Sequence, residues 1–244
     1  MNEVEMLRLN AVKRFDRFNF DLNNNFQGLL KIAADIYETP AAFITLIDEN
    51  NQWFKVTRGF DVLSMPRQGS FCTQTIKQNN TMVVTDTSID TRFETSPFVI
   101  HPPNIRFYAG APLSTHDRQN IGTLCVMDVT PKEIDDNKKE HLEILSRQVM
   151  HLMELELTYK MLNEKMGQIE SQNKALMTIA HVQSHQFRGP LCTIVGLMNI
   201  IKEDGYKDPK DYLVMMEDAI EKLDEQIHSV VKATELAESS YVTE

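Results

Sequence analysis

A long stretch without helix-breaking residues constrains this 244-residue sequence more than any other feature. No proline occurs from Lys132 to Arg188, and Gly167 is the only glycine in that stretch. Because proline and glycine end or weaken helices, the stretch predicts one very long helix. Within it, core positions recur at alternating steps of four and three, which is the spacing of a coiled coil. These positions are Leu155, Tyr159, Leu162, Met166, Ile169, Asn173, Leu176 and Ala180.

Asn173 is the one polar residue in this series. A buried asparagine at a core position commonly pairs with its twin and fixes the register of two parallel helices, so we predict a parallel dimer. Upstream, the apolar stripe passes through Leu145, Val149 and Leu152 before Leu155, with two successive steps of three. That irregularity indicates either a joint that overwinds the coil or a helix that leaves a domain, and both interpretations stay open.

Two amphipathic helical segments follow the coiled coil. Pro190 removes one backbone hydrogen bond and should kink the first segment, which resumes at Leu191 and ends near Gly205. The second segment begins at Asp208 and Pro209, an N-cap followed by a residue that suits the first turn. Its apolar stripe advances in steps of three and four through Leu213, Met216, Ile220, Leu223, Ile227 and Val230. One such αα-hairpin cannot bury both stripes, whereas two copies can do so as a four-helix bundle, which predicts a homodimer.

The residues before Lys132 alternate strand and helix patterns. Helical spacing covers 26–37, and a short capped helix is expected at 71–78. Two β-hairpins are predicted, with a short strand between them. Their strands cover 41–47, 52–57, 82–84, 106–113 and 121–127. Strands and helices without a regular βαβ repeat indicate an α+β fold, an antiparallel sheet with flanking helices.

The charge and the cysteines exclude some functions and locations. The formal net charge is -10, and an acidic surface repels phosphate backbones and anionic lipids, so no nucleic acid or membrane partner is expected. No apolar run approaches the ~18 residues of a membrane-spanning helix. Cys72, Cys125 and Cys192 form no Cys-x-x-Cys pair, which suits a reducing compartment with the thiols as small core hydrophobes. We therefore expect a cytoplasmic protein.

The octapeptide at 184–191, Ser-His-Gln-Phe-Arg-Gly-Pro-Leu, carries a motif. Extending the heptad past Ala180 leaves His185 pointing outward, where a separate domain can reach it. The octapeptide resembles the H-box of sensor histidine kinases, whose usual form is Ser-His-Glu-Leu-Arg-Thr-Pro-Leu. The resemblance implies that His185 is the phosphoacceptor and that Gln186, Arg188 and Pro190 form its H-box context.

Two positions of the octapeptide differ from the kinase pattern. Gln186 stands where the family has an acid that orients the imidazole and takes its proton, and an amide accepts a hydrogen bond but not a proton. Gly189 stands where the family has a threonine or asparagine that positions water for dephosphorylating the partner.

The kinase resemblance also implies an ATP-binding domain after the second hairpin helix. The sequence up to Glu244 holds no glycine-rich phosphate-binding signature. Three alternatives stay open: a neighbouring protein phosphorylates His185, the polypeptide is a fragment of a longer kinase, or the motif is vestigial. ATP is expected only through a separate catalytic domain, and the partner would be a kinase or a response regulator. The alternative function is a non-catalytic sensor dimer that regulates a partner through its hairpin.

Residues 26–155 resemble a GAF domain. The segments that carry the resemblance are 42–48, 52–55, 70–72, 105–113 and 121–128. It implies that a small molecule binds over one face of the sheet, or that the domain serves only dimerisation. The Cys-His dipeptide of bilin-binding members and the Asn-Lys-x-x-Phe-Asp-Glu signature of cyclic-nucleotide-binding members are missing, so the sensed ligand is unknown.

Five side chains are candidates for the ligand pocket: Trp53, Phe71, Cys72, Arg106 and Tyr108. Aromatic side chains more often form the core of such a domain. Arg106 would meet either an anionic ligand or a structural ion-pair partner. His181 and His185 have the spacing of a two-histidine metal site, but no further ligand residue is nearby, so no metal site is predicted.

The predicted organisation has five parts. They are an N-terminal helical segment at 1–25, the GAF-like sensor domain at 26–155, a coiled-coil linker helix at 156–180, a dimerisation and phosphoacceptor hairpin at 181–238 and a tail at 239–244.

Overall fold

The computed structural model describes residues 3–15, 20, 24–207 and 209–241. Asp208 and parts of the predicted terminal segments 1–25 and 239–244 lie outside the described residues. The helices are α1 (Glu3–Lys13), α2 (Asn24–Tyr37), α3 (Phe71–Thr75), α4 (Pro97–Ile100), α5 (Asp136–Glu203) and α6 (Lys210–Tyr241).

The strands form one six-stranded sheet. They are β1 (Ala41–Ile47), β2 (Asn51–Arg58), β3 (Ser64–Pro66), β4 (Met82–Val84), β5 (Phe107–Ser114) and β6 (Asn120–Asp128). Their order is β3-β2-β1-β6-β5-β4, and every neighbouring pair is antiparallel. This confirms the prediction of an antiparallel sheet with flanking helices.

The β1–β2 hairpin closes around Asp48. Its Oδ1 accepts hydrogen bonds from the backbone N–H groups of Asn50 at 2.8 Å and Asn51 at 2.6 Å, a turn that aspartate favours. Burial acts to raise the pKa of Asp48, but hydrogen bonds from Trp53 and from these two N–H groups lower it. The charged form of Asp48 therefore holds the turn.

A β-bulge interrupts the same hairpin. Ile44 pairs with Val56 and Thr45 pairs with Phe54, so Lys55 is an extra residue in β2. Phe54 and Val56 are two positions apart but belong to different apolar clusters on opposite faces of the sheet. The bulge therefore reverses which side chains of β2 face each side.

Each face of the sheet buries an apolar cluster. One cluster packs α1, α2 and the first part of α5 against the sheet and includes Phe26 and Val149. The other packs against α3, α4 and the irregular segment 85–106 and includes Phe43, Tyr108 and Cys125. We call this second side of the sheet the loop face.

The chain divides into two units, residues 1–162 and residues 163–244, and α5 contributes to both. In the first unit, α5 buries Leu145 and Val149 in the apolar cluster, and Leu152 packs at its margin. Leu155 is 66% exposed. The irregular steps in the apolar stripe thus fall where the helix leaves the sheet, which favours the interpretation of a helix that leaves a domain.

In the second unit, α5 runs through Pro190 without ending. Beyond its last residue the chain turns at Gly205, whose φ of 64° suits glycine. The next residue, Tyr206, donates a backbone hydrogen bond to the carbonyl oxygen of Ile201 at 2.9 Å, which satisfies one of the last carbonyls of the helix. Helix α6 begins at Lys210.

Candidate functional site

Helix α3 positions two of the predicted pocket residues on the loop face. Ser70 is its N-cap, and Ser70 Oγ accepts a hydrogen bond from the backbone N–H three residues later at 3.2 Å. The helix buries both Phe71 and Cys72. The ring centroid of Phe71 lies 5.0 Å from that of Tyr108, on which it stacks, and 4.6 Å from that of Phe93. The structure therefore brings Phe71, Cys72 and Tyr108 together.

Sulfur and hydroxyl groups form a buried polar cluster around Cys72. Cys72 Sγ is 3.8 Å from Cys125 Sγ, and Tyr108 Oη donates to Cys72 Sγ at 3.6 Å. Tyr108 Oη is also 2.8 Å from the hydroxyl oxygen of Thr75. On the two central strands, the hydroxyl oxygens of two threonines lie 2.9 Å apart. We call this group the thiol nest; its members are Cys72, Cys125, Tyr108, Thr75, Thr45 and Thr123.

Burial and hydrogen bonding shift the pKa values of the nest in different directions. Burial acts to raise the pKa of the Cys72 thiol, but hydrogen bonds from Cys125 and three hydroxyl groups outweigh it and lower that pKa. Burial raises the pKa of Cys125, and its hydrogen bond to Cys72 adds to the effect. Burial also raises the pKa of Tyr108. The direction of the pKa shift is thus downward for Cys72 and upward for Cys125 and Tyr108.

Sequence reasoning missed four members of the nest, Thr45, Thr75, Thr123 and Cys125, as site residues. Thr45 is fully buried in the middle of β1, whose other residues are all apolar. Thr123 and Cys125 are two positions apart in β6, so they point to the same side of the sheet. A hydroxyl in the middle of an apolar strand is the signal that would have identified this position.

The other two predicted pocket residues do not join the nest. Trp53 pairs with Leu46, which belongs to the apolar cluster that packs under α1, α2 and α5, on the opposite side from the loop face. The Trp53 side chain is 39% exposed. Its Nε1–H donates to Asp48 Oδ2 at 2.5 Å. Arg106 Nη1 donates to the carbonyl oxygens of Val99 at 3.2 Å and Ile105 at 2.9 Å. Both side chains are held by the protein itself, away from the thiols.

Two buried polar atoms on the loop-face side have no hydrogen-bond partner among the described residues: Gln52 Nε2 and Ser96 Oγ. The other amide atom of Gln52, Oε1, accepts a hydrogen bond from Ser70 Oγ. An unpaired buried donor costs about 1–3 kcal/mol. Water or a small molecule that offers a hydrogen-bond acceptor would satisfy the Gln52 amide.

The second candidate site surrounds His185 in the second unit. His185, Gln186 and Arg188 are exposed, and Pro190 is half-buried. At about 100° of rotation per residue, the His185 side chain is turned roughly 160° from Phe187 and roughly 120° from Leu191. The imidazole therefore points away from the sides of α5 that carry those two apolar residues.

Buried and half-buried positions recur with heptad spacing on α5 and α6. They are residues 183, 187, 190, 194, 197 and 201 of α5 and residues 212, 216, 219, 223, 226 and 230 of α6. Pro190 and Ala219 both line a groove of about 430 Å³ between the two helices. We call these positions the inner face of the helix pair.

A further set of apolar side chains on the same helices is exposed. Their exposed fractions are 45–58%. Each directly follows an inner-face residue in the sequence and is therefore turned about 100° from it around the helix axis. We call the set the outer strip; its members are Leu191, Val195, Met198, Leu213, Ile220 and Ile227.

Two absences concern only the part of the chain that the structure describes. There, no group of three or more histidine, cysteine, aspartate or glutamate side chains is placed to hold a metal ion. In the same residues, no helix combines the length and the hydropathy needed to cross a membrane.

Relatives in sequence match the sensor half of the chain. A model of the GAF domain family matches residues 21–152, which is more than half of the sequence. A cyclic di-GMP phosphodiesterase from Pseudomonas aeruginosa is 39% identical over 126 residues, which cover 51% of this chain. The chain spans only 22% of the length of that relative.

Solved structures with a similar fold include the GAF domain of an Acinetobacter phosphoenolpyruvate-protein phosphotransferase, with 15% identity, a TM-score of 0.46 and coverage of 63% of this chain and 94% of that one. A structure of part of a methyl-accepting chemotaxis protein has 13% identity and a TM-score of 0.46, and the match covers 63% of this chain and 99% of that one. Likenesses at this level carry no argument about function.

The family match ends before His185, so the phosphoacceptor role stays a prediction. On the match over residues 21–152, the chain belongs to the GAF domain family of signal transduction sensors.

Proposed function

We propose that this GAF-domain sensor acts in two-component-type signalling and that its output is a phosphoryl group carried on His185. One observation supports the proposal most directly. His185 lies in an H-box-like octapeptide, is exposed, and is turned roughly 160° from Phe187 of the inner face and roughly 120° from Leu191 of the outer strip. A histidine in that position stays accessible to a catalytic domain while the helices around it are packed.

The proposed reaction is an attack by a neutral imidazole nitrogen of His185 on the γ-phosphorus of ATP. A nitrogen–phosphorus bond forms while the bond from phosphorus to the bridging oxygen breaks, and ADP leaves. The amide oxygen of Gln186 can accept a hydrogen bond from the ring N–H and orient the ring, but it cannot take the proton. We therefore assign the base to water or to the ATP-binding partner, which is a separate domain or protein.

The outer strip supports a homodimer as part of the proposal. Its apolar side chains lie outside the inner face and remain 45–58% exposed within one chain. A second copy related by a two-fold axis would bury both strips together, giving a four-helix bundle. The exposed apolar positions of the coiled-coil stretch within the second unit, such as Met166 and Ile169, continue the same stripe, and Asn173 would set its register.

The loop face supports a sensing role for the first unit. The unpaired Nε2–H of Gln52 favours a small ligand with a hydrogen-bond acceptor. The identity shared with part of a cyclic di-GMP phosphodiesterase supports a signalling role for the same domain. We place the protein in the cytoplasm, where ATP is available and the few cysteines remain reduced.

A labelling experiment tests the phosphoacceptor role. The purified chain is incubated with γ-labelled ATP in a soluble extract of the source cells, which supplies the ATP-binding partner, and is then re-isolated. We expect label that is lost in acid and survives base, as a phosphorylated histidine requires. His185→Ala should abolish this label.

His181→Ala is the matched control, because His181 is one helical turn from His185 and is also exposed. It should keep the label. Label that persists in His185→Ala, or no acid-labile label at any time, would contradict the relay function. The helix pair would then serve dimerisation and the regulation of a partner.

A further inference from the structure

Two cysteines that are distant in sequence meet in the thiol nest. Cys72 lies in α3 and Cys125 in the middle of β6, 53 positions apart, and their Sγ atoms are 3.8 Å from each other. A disulfide bond is about 2.05 Å long, so the two sulfurs need to approach by less than about 2 Å. We propose that Cys72 and Cys125 form a disulfide within one chain when hydrogen peroxide oxidises them, which makes the loop face a peroxide-responsive site.

The hydrogen bonds of the nest distinguish the two thiols. Tyr108 donates to Cys72 Sγ at 3.6 Å, and Cys125 lies within hydrogen-bonding distance of the same sulfur. Thiols are weak acceptors, whereas a thiolate gains strongly from such donors and is the nucleophilic form. The arrangement therefore makes Cys72 the attacking sulfur and Cys125 the resolving one, and the direction of the Cys72 pKa shift agrees.

The proposed reaction has two balanced steps. In the first, the Cys72 thiolate attacks one oxygen of hydrogen peroxide, the oxygen–oxygen bond breaks, and hydroxide leaves and becomes water, which produces a sulfenic acid on Cys72. In the second, the Cys125 sulfur attacks the sulfenic sulfur, the sulfur–sulfur bond forms, and the hydroxyl group leaves as a second water with the Cys125 proton. Two thiols and one peroxide thus give one disulfide and two waters.

Access to the pair determines the rate. Cys72 is 1% exposed and Cys125 is 0% exposed, so the oxidant must enter through a local opening. The segment 85–106 covers the loop face and contains only one turn of helix, α4, so it opens at lower cost than a helix or a central strand. Hydrogen peroxide is close to water in size and needs only a small opening. We therefore expect Cys72 to react more slowly than the exposed Cys192.

The test uses the full chain with Cys192→Ser, which leaves two thiols. The folded protein is treated with hydrogen peroxide, the peroxide is removed with catalase, and free thiols are alkylated in denaturant before intact-mass measurement. We expect a species that is lighter by two hydrogens, takes up no alkylating reagent and reverts with dithiothreitol. Peptide mapping should recover a fragment that links Cys72 to Cys125.

Single substitutions assign the two roles. With Cys125→Ser, a sulfenic acid should accumulate on Cys72 and be trapped by dimedone, whereas Cys72→Ser should leave the Cys125 thiol largely unreacted. Tyr108→Phe should slow oxidation several-fold and move its pH profile upward, because one donor to the thiolate is lost. Far-ultraviolet circular dichroism verifies that each variant is folded.

Two outcomes would overturn the proposal. One is retention of both thiols in folded Cys192→Ser at peroxide doses and times far beyond those that fully modify Cys192 in the unsubstituted chain, followed by retention in an oxidised glutathione buffer. The other is a disulfide that forms only in denaturant. Neither outcome depends on phosphorylation of His185, so the proposed relay function is tested separately.

Discussion

At the scale of single residues, Glu5 connects α1 to the β1–β2 turn and to the segment after β3. Its Oε1 accepts hydrogen bonds from Arg8 at 2.8 Å and Arg67 at 2.5 Å, and Arg8 also donates to the carbonyl oxygen of Ile47 at 2.7 Å. The bond from Arg8, with a further contribution from Arg67, outweighs burial and lowers the pKa of Glu5 to about 2. A carboxylate whose pKa falls on folding stabilises the folded state above its unfolded pKa, and the stabilisation is lost as the pH falls towards the folded value.

We expect Glu5→Gln to lower the free energy of unfolding by about 1–2 kcal/mol at pH 7, a discounted figure because the side chain is partly exposed. The deficit should shrink as the pH falls from 4.5 towards 2, because Glu5 begins to be protonated in the folded unsubstituted chain only near its lowered pKa of about 2. Urea unfolding followed by circular dichroism at several pH values measures it.

Glu3→Gln is the matched control, since Glu3 is an exposed acid of the same helical turn. It should change the free energy of unfolding by less than about 0.5 kcal/mol. A Glu5→Gln deficit that stays constant from pH 7 to pH 2.5 would show that packing, and not the charge of Glu5, stabilises the α1 contact.

At the scale of elements, β6 requires a glycine where it pairs with the end of β1. A Cβ atom on Gly122 would overlap the carbonyl oxygen of Thr45 and lie 3.0 Å from Leu46 Cα. Both neighbours are backbone atoms of a fully buried strand, so neither can move aside. Gly28 in α2 presents the opposite case, because a Cβ there meets no heavy atom within 4 Å.

We expect Gly122→Ala to lower the free energy of unfolding of the sensor unit by about 3 kcal/mol, at the upper end of overpacking effects. Gly28→Ala should raise it by about 0.5–1 kcal/mol, because alanine is the better helix former at an exposed helical position. Denaturant unfolding of both variants provides the comparison. Equal stability of the two variants would mean that β6 shifts away from β1 to accommodate the methyl group.

The long helix and every strand except β3 were predictable from sequence because their signals are local: apolar runs, turn residues and the absence of proline. The three-residue β3, which pairs with β2, was not predicted. Which residues meet across the sheet was not predictable either. The bulge at Lys55 reverses the alternation of side chains along β2. This is one reason that the predicted ligand pocket included Trp53, which the structure separates from Phe71, Cys72 and Tyr108. The approach of Cys72 to Cys125 joins positions 53 apart and depends on strand register, which leaves no local trace in the sequence.

At the scale of the whole molecule, oligomeric state is the property that the outer strip should control. Ile220, a member of the outer strip on α6, is 53% exposed. Val214 is 58% exposed on another side of the same helix. If the proposed bundle forms, a charge at position 220 is buried in it, whereas a charge at position 214 remains in water.

We expect Ile220→Glu to weaken dimerisation by at least about 2 kcal/mol, which is roughly 30-fold in Kd. Val214→Glu should leave the Kd within a factor of about three. Sedimentation equilibrium across a range of concentrations measures both. A chain that is already a monomer at micromolar concentration, or an Ile220→Glu variant that dimerises as tightly as the unsubstituted protein, would contradict the proposed bundle.

The exposed outer strip has a consequence for how much of the protein a cell contains. If the strip is buried only against a second copy, the stability of the helix pair includes a mass-action contribution that grows with the logarithm of protein concentration. Cells with few copies would hold a larger share of chains whose helix pair is loosely folded and open to proteases, and cells with many copies would protect it. Expression level would then set both the amount of sensor and the fraction able to signal.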